Sequence, residues 1–448
     1  MSPPPELNRR NFLRLASAGA LSLCLPRSLS GAPVGRRRSF GDKITIGVIG
    51  CGWRGVQLLT NALGSDDARV IATCDVNGEA VRAAAALVDG FYGASKSSGI
   101  SRGCRAYRDF RELLACPDLD AVIVATPDHW HALITVAAVD QGKDVYLEKP
   151  ASLTIREGQA MVDAVLRTGA VIQVGSQQRS TLTFQRLVEL TRNGFLGEIR
   201  RVIVRLPQEM RIKGGNPVPP LAHEDPPAGF DYDLWLGPAP EVPYFAARCD
   251  YNWRWSFDYS GGQVTNWIGH HYDIAAWALG LNARLPEEIF DAHATFPKES
   301  PLFNTATSYS FSARYGDGRV IEVQPGSLEN SGLAVRIEGG EGWAECSRAY
   351  FRASSDRLER VRIPSDGFRC TSVNHLGNFL ECVRSRREPV CPIADGHCVA
   401  AVAHLANAAF RSGRSSVRFD APTLRITGAP DADALLQPVF RAPWILPV

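Results

Sequence analysis

A short apolar run, "ITIGVI" (residues 44–49), leads directly into "GCGWRG" and then into "VQLLTNAL". The run is β-branched and uninterrupted, as a strand buried on both faces of a parallel sheet requires. The residues after it recur at helical spacing, so the sequence predicts a strand, a tight turn and a helix in succession. Gly50, Gly52 and Gly55 hold the three positions such a turn needs. The first permits the reversal, the second lets backbone approach a pyrophosphate, and the third lets helix pack on strand. The helix N-terminus then offers N–H groups and a positive dipole end to phosphate. Trp53 and Arg54 complete the turn, and Arg54 is expected to reach the pyrophosphate.

With 40 glycines in the chain, that spacing alone is weak, and context strengthens it. A second strand pattern, "ARVIATCD", ends in Asp75, 20 residues beyond Gly55. A carboxylate there accepts hydrogen bonds from the adenosine ribose and repels a 2′-phosphate, which favours NAD over NADP. "LDAVIVATPDHWHALITVAAVDQGKDVYLEKP" continues the alternation, with strands expected over 120–125 and 144–147 and a helix over 130–141. Repeated strand and helix units imply a doubly wound parallel sheet, an α/β fold whose ligand lies at the carboxyl ends of the strands. Thr126, Pro127, His131, Glu148 and Lys149 fall at such ends and are expected near the cofactor.

At 448 residues the chain exceeds one ordinary domain. Its formal charge of +2 becomes −1 without residues 1–32, which carry four arginines and one glutamate. A near-neutral body offers no electrostatic footprint for nucleic acid or an anionic membrane, so small-molecule chemistry is expected. Eleven cysteines without a C-x-x-C are expected to be mostly free and buried. "NRRNFLRLASAGALSLCLP" reads as a twin-arginine export signal, residues 1–32, with an apolar run too short to span a bilayer. The destination is then periplasmic or extracellular, with the Tat translocon as a transient partner and no lasting membrane association. A basic arm follows over 33–42. A nucleotide-binding domain is expected over 43–175, and a substrate-binding α+β domain over 176–448. Alternating stretches such as "RRVIVRL", "SYSFSARY" and "RVIEVQ" fit an open, mostly antiparallel sheet in the second.

Four motifs, "GVIGCGWRG", "ATPDHWH", "YLEKP" and "GGQVTNWIGHHYDIAAWALG", resemble in order and spacing the Gfo/Idh/MocA family of sugar and inositol oxidoreductases. The resemblance runs from Lys43 to the closing "HLGNFLECVRSR", and "GSQQRS" and "FDYDLWLGPAP" resemble its exported branch. It implies hydride transfer between a nicotinamide and a secondary alcohol of a sugar, glycoside or polyol. It also implies a homo-oligomer built on the free face of the second sheet, and C-terminal helices that pack back on the first domain. Free NAD is scarce outside the cytoplasm, so export implies a tightly held cofactor.

Oxidising an alcohol requires a base that titrates near the working pH. Lys149 closes a buried strand, where desolvation and a cationic neighbour can lower a lysine to about 7 to 8. In the family this lysine is paired with an Asp-x-x-x-His at the start of a helix, which places Asn266 and His270 here. Spacing i, i+4 puts both on one helix face, Asp273 continues it, and His271 points about 100° away. An amide at 266 can hold a hydroxyl or orient His270 but cannot carry a proton, so His270 and Lys149 are expected to bear the transfer, or Asp273 to substitute. Gln178 and Arg179, with Asp273, are the expected substrate contacts, while Trp253 and Trp255 read as core. Two other functions compete: a redox-neutral glycosidase of the same family, and a metallohydrolase built from "DHWH" and "HHYD". The second would leave the glycine turn and Asp75 without purpose, and no metal is expected.

Overall fold

The computed structural model describes residues 42–94, 103–214, 224–298, 300, 302–328 and 332–446. The export signal and nearly all of the basic arm lie outside the described residues. Six strands, β1 (Ile44–Ile49), β2 (Ala68–Cys74), β3 (Arg105–Tyr107), β4 (Ala121–Val124), β5 (Asp144–Leu147) and β6 (Ile172–Val174), form one parallel sheet in the order 3-2-1-4-5-6. The strand period of two divides β4 between two cores. Val122 and Val124 join Leu133, Val136 and Met161 on one face, while Ala121 and Ile123 join Leu58, Leu59 and Phe379 on the other. Helices therefore cover both faces, and the order reverses between β1 and β4, where a doubly wound sheet opens its crevice. The expected helix over 130–141 is His131–Asp140, preceded by a single tighter turn, Asp128–Trp130.

A second sheet contains β7 (Ile199–Pro207), β8 (Glu288–Thr295), β9 (Ser308–Arg314), β10 (Val320–Gly326), β11 (Ala334–Gly339), β12 (Gly342–Cys346), β13 (Phe351–Ala353), β14 (Val417–Asp420) and β15 (Arg425–Thr427). Its order is 13-12-11-7-10-9-8-14-15, and the β7–β10 pair is parallel within an otherwise antiparallel sheet. In β10, Ile321 and Val323 are buried while Glu322 and Gln324 are partly exposed, so one face of the strand is apolar. That face lies in a single core with Phe184 and Leu187 of the helix Leu182–Arg192 and Leu405 of the helix Ile393–Arg411.

Two C-terminal helices join the sheets. Phe379 and Leu380, from the helix His375–Ser385, are fully buried in the core that contains Ile44 and Val48. Each contributes about 1.5–3 kcal/mol of apolar burial. The helix Ile393–Arg411 sends Ala400 into the first sheet's core and Val402 and Leu405 into the second's. This clamp brings the carboxyl end of β5 against the segment 262–279. The ten described cysteines are free and eight are buried, as expected of core thiols. Among the described residues, no helix is long and apolar enough to cross a membrane.

Candidate active site

The glycine turn has the expected geometry. Gly50 has φ +91°, and a Cβ at Gly55 would lie 1.8 Å from the Gly50 carbonyl oxygen, so the first and third glycines are required by the turn itself. A Cβ at Gly52 would meet nothing within 4 Å. Gly52 caps the helix Trp53–Leu63 with no side-chain hydrogen bond, leaving its first N–H groups for a ligand. At the end of β2, Asp75 accepts from Cys51 N at 2.6 Å and Asn77 N at 2.8 Å, which ties it to this turn. Burial raises its pKa, and those two N–H groups oppose the shift. At the end of β4, Thr126 Oγ1 is buried with no partner among the described residues, and Pro127 precedes the turn Asp128–Trp130. Open space at Gly52, an uncapped helix start, a carboxylate at the end of β2 and an orphaned hydroxyl together fit a dinucleotide.

Arg54 and His131 are each engaged by other groups of the protein. Arg54 does not extend freely toward a phosphate: its Nε meets Glu148 Oε1 at 2.8 Å, and it also bonds Gln57. Glu148 is 5% exposed, and a carboxylate so buried needs a cation. It also accepts from Gln177 Nε2 and from Lys149 N, both at 3.2 Å. His131 is fully buried between two carbonyl oxygens, with Nδ1 2.7 Å from Pro150 and Nε2 3.0 Å from Thr126. It therefore ties the end of β4 to the loop after β5 and exposes no edge to the crevice.

Lys149 follows β5 and is half-buried. Its Nζ donates to Asn266 Oδ1 at 2.8 Å and to the Asn266 carbonyl at 3.1 Å. The amide is oriented by Gln263, whose Oε1 accepts from Asn266 Nδ2 at 3.1 Å and whose Nε2 donates to the Glu209 carbonyl at 2.7 Å. Gly269 completes the approach, since a Cβ there would stand 3.1 Å from that of Lys149. Desolvation lowers the lysine pKa from 10.5 to about 8, Glu148 opposing and Arg254 assisting. This lies in the range a base for alcohol oxidation requires.

The helix that carries the partners is not regular. Gly262–Trp267 is α-helical, Ile268–Tyr272 is a π-helical turn, and Asp273–Leu279 resumes the α form. The extra residue advances the phase by about 100°, so the expected face of Asn266, His270 and Asp273 is broken. Asp273 is fully buried and pairs with Arg179, at 2.5 Å to Nη2 and 2.8 Å to Nε, and Asp395 meets Arg179 Nη1 at 2.6 Å. Arg179 is 1% exposed, so this triad binds the helix to the loop after β6 and does not face the crevice. His271 packs edge-on to Phe184, and burial lowers its pKa to about 3.

His270 is half-buried beside Trp267, with ring centroids 5.4 Å apart. Burial holds its pKa well below 6.5, and the charges of Lys149 and Arg348 add to this, so it is a neutral imidazole at ordinary pH. Its Nδ1 is buried without a partner among the described residues. Gln178, with its nitrogen 3.0 Å from the His270 carbonyl and its oxygen 3.0 Å from Arg348 Nε, braces the π turn. The sequence reading missed Gln263, Arg254 and Arg348. Arg254 lies within "YNWRW", where the aromatics drew attention: Trp255 is fully buried and Trp253 nearly so, while the arginine between them is half-buried.

His129 Nε2 lies 3.0 Å from the Trp235 carbonyl, and among the described residues no three His, Cys, Asp or Glu side chains are grouped to hold an ion.

Residues 44–176 match the oxidoreductase family with an NAD-binding Rossmann fold, and residues 213–446 match that family's C-terminal alpha/beta domain. The chain belongs to the Gfo/Idh/MocA oxidoreductase family. It is 29% identical over 212 residues to a glycosyl hydrolase family 109 protein of Shewanella pealeana, covering 43% of this chain and 44% of that one. It is likewise 29% identical over 175 residues to a myo-inositol 2-dehydrogenase of Thermotoga maritima, covering 39% and 46%. The matches thus span less than half the length of these curated relatives. Among solved structures, the aldose-aldose oxidoreductase of Caulobacter crescentus has a TM-score of 0.60 at 21% identity, covering 84% of this chain and 100% of that one. The WlbA dehydrogenase of Bordetella pertussis, in complex with NADH and UDP-GlcNAcA, has a TM-score of 0.61 at 20% identity, covering 85% and 99%. At these identities the likeness shows this Gfo/Idh/MocA member to share their fold.

Proposed function

We propose that this family member is an NAD-dependent oxidoreductase acting on a secondary alcohol of a sugar, glycoside or polyol. The observation that carries this is a lysine with a pKa of about 8, held by Asn266 where the end of β5 meets the second sheet's helix. When bound, NAD supplies the hydride acceptor. The turn at Gly52 and the first N–H groups of Trp53–Leu63 would hold its phosphates, Asp75 would accept from its ribose, and the buried Thr126 hydroxyl is free to bond it. Neutral Lys149 takes the proton from the substrate hydroxyl as the carbinol carbon gives up hydride, and becomes an ammonium whose N–H groups Asn266 accepts. His270, a neutral imidazole, accepts or donates a hydrogen bond that fixes the hydroxyl, while Lys149 alone stores the proton. Arg179 and Asp273 hold the π turn in place, and His131 holds the β4 and β5 ends together. The Asp75 carboxylate at the end of β2 would repel a 2′-phosphate, which favours NAD over NADP. We place the protein outside the cytoplasm on its twin-arginine sequence.

A second reading has a specific support, the glycosyl hydrolase family 109 relatives: the same hydride transfer made transiently, with elimination of the aglycone, addition of water to the resulting double bond and return of the hydride. One experiment separates the two. The protein is denatured to release and quantify nicotinamide, then assayed with NAD against a panel of aldoses, polyols and p-nitrophenyl glycosides. Net NADH from a sugar or polyol, lost in Lys149→Ala, supports the oxidoreductase. Nitrophenol release without net NADH supports the glycosidase, and unchanged rates in Lys149→Ala sink both.

A further inference from the structure

Arg254 and Arg348 bring two further guanidiniums to the neighbourhood of Lys149 and His270. Arg254, in the turn Asn252–Trp255, is half-buried, with its guanidinium 4.2 Å over the Trp253 ring and 4.5 Å over Tyr251, and donates Nη1 to the Tyr251 carbonyl at 2.9 Å. Arg348, in the loop after β12, lies 4.7 Å over the Trp267 ring, which in turn contacts His270. Gln178 links Arg348 Nε to the His270 carbonyl. Among the described residues, neither arginine forms an ion pair, whereas Arg54 and Arg179 are each matched by a carboxylate.

The local balance is therefore positive. Arg54 is neutralised by Glu148, and the buried Asp128, which accepts from Ser260 Oγ at 2.6 Å, acts on Arg254 and Lys149, so the charge of Arg348 is left over. Arg348 is tied to the π turn beside His270 through Gln178 and Trp267, and Arg254 acts electrostatically on Lys149. A desolvated cation without a counter-ion is costly, and a guanidinium fixed against a flat ring presents its remaining N–H fork in one direction. The matching group is a carboxylate or a phosphate, which such a fork binds in two-point fashion. The cofactor pyrophosphate has its own site at the helix Trp53–Leu63.

We propose that the substrate is an acidic sugar, its oxyanion held by Arg348 and Arg254 while its secondary alcohol faces Lys149. This rests on the oxidoreductase reading given above and adds the substrate class to it.

The test uses the whole protein saturated with NADH and titrated calorimetrically with D-glucuronate, D-glucose 6-phosphate and D-glucose, alongside turnover with NAD. At least one of the two anions is expected to bind about ten-fold or more tightly than glucose, since a hydrogen bond between charged partners is stronger than one between neutral groups. Which anion it is distinguishes carboxylate from phosphate. Arg348→Met and Arg254→Met should each collapse that ratio about ten-fold, with partial rescue by Arg348→Lys and Arg254→Lys, and should leave NADH affinity unchanged. Equal or tighter binding of glucose, no binding of either anion, or a parallel loss of NADH affinity overturns the proposal. Arginine-dependent anion binding without any hydride transfer would retain the anion site and remove the oxidoreductase reading. Oxidation of neutral sugars with no anion preference would do the reverse.

Discussion

Lys149 Nζ reaches both the side-chain oxygen of Asn266, at 2.8 Å, and its backbone oxygen, at 3.1 Å, so one neutral residue fills two of the three donor directions of an ammonium. A carboxylate in the same place would add an opposite charge in contact with the amine and hold its proton more firmly. The amide is thus consistent with a lysine that releases its proton near pH 8.

Asn266→Asp should therefore move the pH profile. For alcohol oxidation, kcat/KM rises as Lys149 deprotonates, with a midpoint near 8 in the parent protein. The variant's midpoint should rise by about one unit or more, with the plateau rate largely retained. A midpoint that stays put or falls would show that Lys149 is not the group being titrated.

Lys149→Met should lower turnover by about 100-fold or more while raising stability at neutral pH. The folded-state pKa, about 8, lies below the ordinary 10.5, so the unfolded chain binds the proton more tightly between those values and protonated Lys149 opposes folding. The penalty is full below pH 8 and fades as pH rises from about 8 to 10.5. The gain in melting temperature over the parent should accordingly be larger at pH 6.5 than at pH 10, and the reverse order would contradict the depressed pKa.

Gly52→Val and Gly55→Ala should fail in different ways. The first adds atoms where nothing lies within 4 Å, so the melting temperature of cofactor-free protein should hold while NAD affinity drops about ten-fold or more. The second drives a Cβ to 1.8 Å from the Gly50 carbonyl and should destabilise the fold itself. Calorimetric titration with NAD beside thermal melts of both variants provides the comparison.

Asp273→Ala removes one carboxylate from the buried Arg179 pair and should cost about 3–5 kcal/mol in denaturant unfolding. A substrate-contacting aspartate would instead raise KM and leave stability untouched.

Asp75→Asn keeps an acceptor for Cys51 N but removes the charge. The ratio of kcat/KM for NAD over NADP should fall about ten-fold, since repulsion of a 2′-phosphate is lost. An unchanged ratio would place cofactor discrimination elsewhere.

The legible part of the sequence was local. "ITIGVIGCGWRG" states its own conformation because a buried parallel strand needs an unbroken β-branched run and the turn needs glycines that no side chain can replace. Asp75 and Lys149 were legible for the same reason, each standing at the end of such a strand. The readings that changed concern partners distant in the chain. Arg54 was aimed at a pyrophosphate and instead neutralises Glu148, 94 residues on, because a carboxylate that deeply buried must be matched. Asp273 was placed on the face of His270 by a 3.6-residue period, which the π turn at Ile268–Tyr272 interrupts. Arg348 gave no sequence signal, since nothing in a loop near "CSRAY" marks it as a neighbour of His270.

The sequence by itself therefore determined the doubly wound sheet and the dinucleotide turn, set by short-range sterics and periodicity, and the family, set by the resemblance of four motifs. Only the tertiary structure decided that Arg54 pairs with Glu148, that Arg179 and Asp273 bind each other, and that a π turn separates Asn266 from Asp273. Those pairings depend on which charges burial forces together, and burial is fixed by the packing of helices His375–Ser385 and Ile393–Arg411 across both sheets.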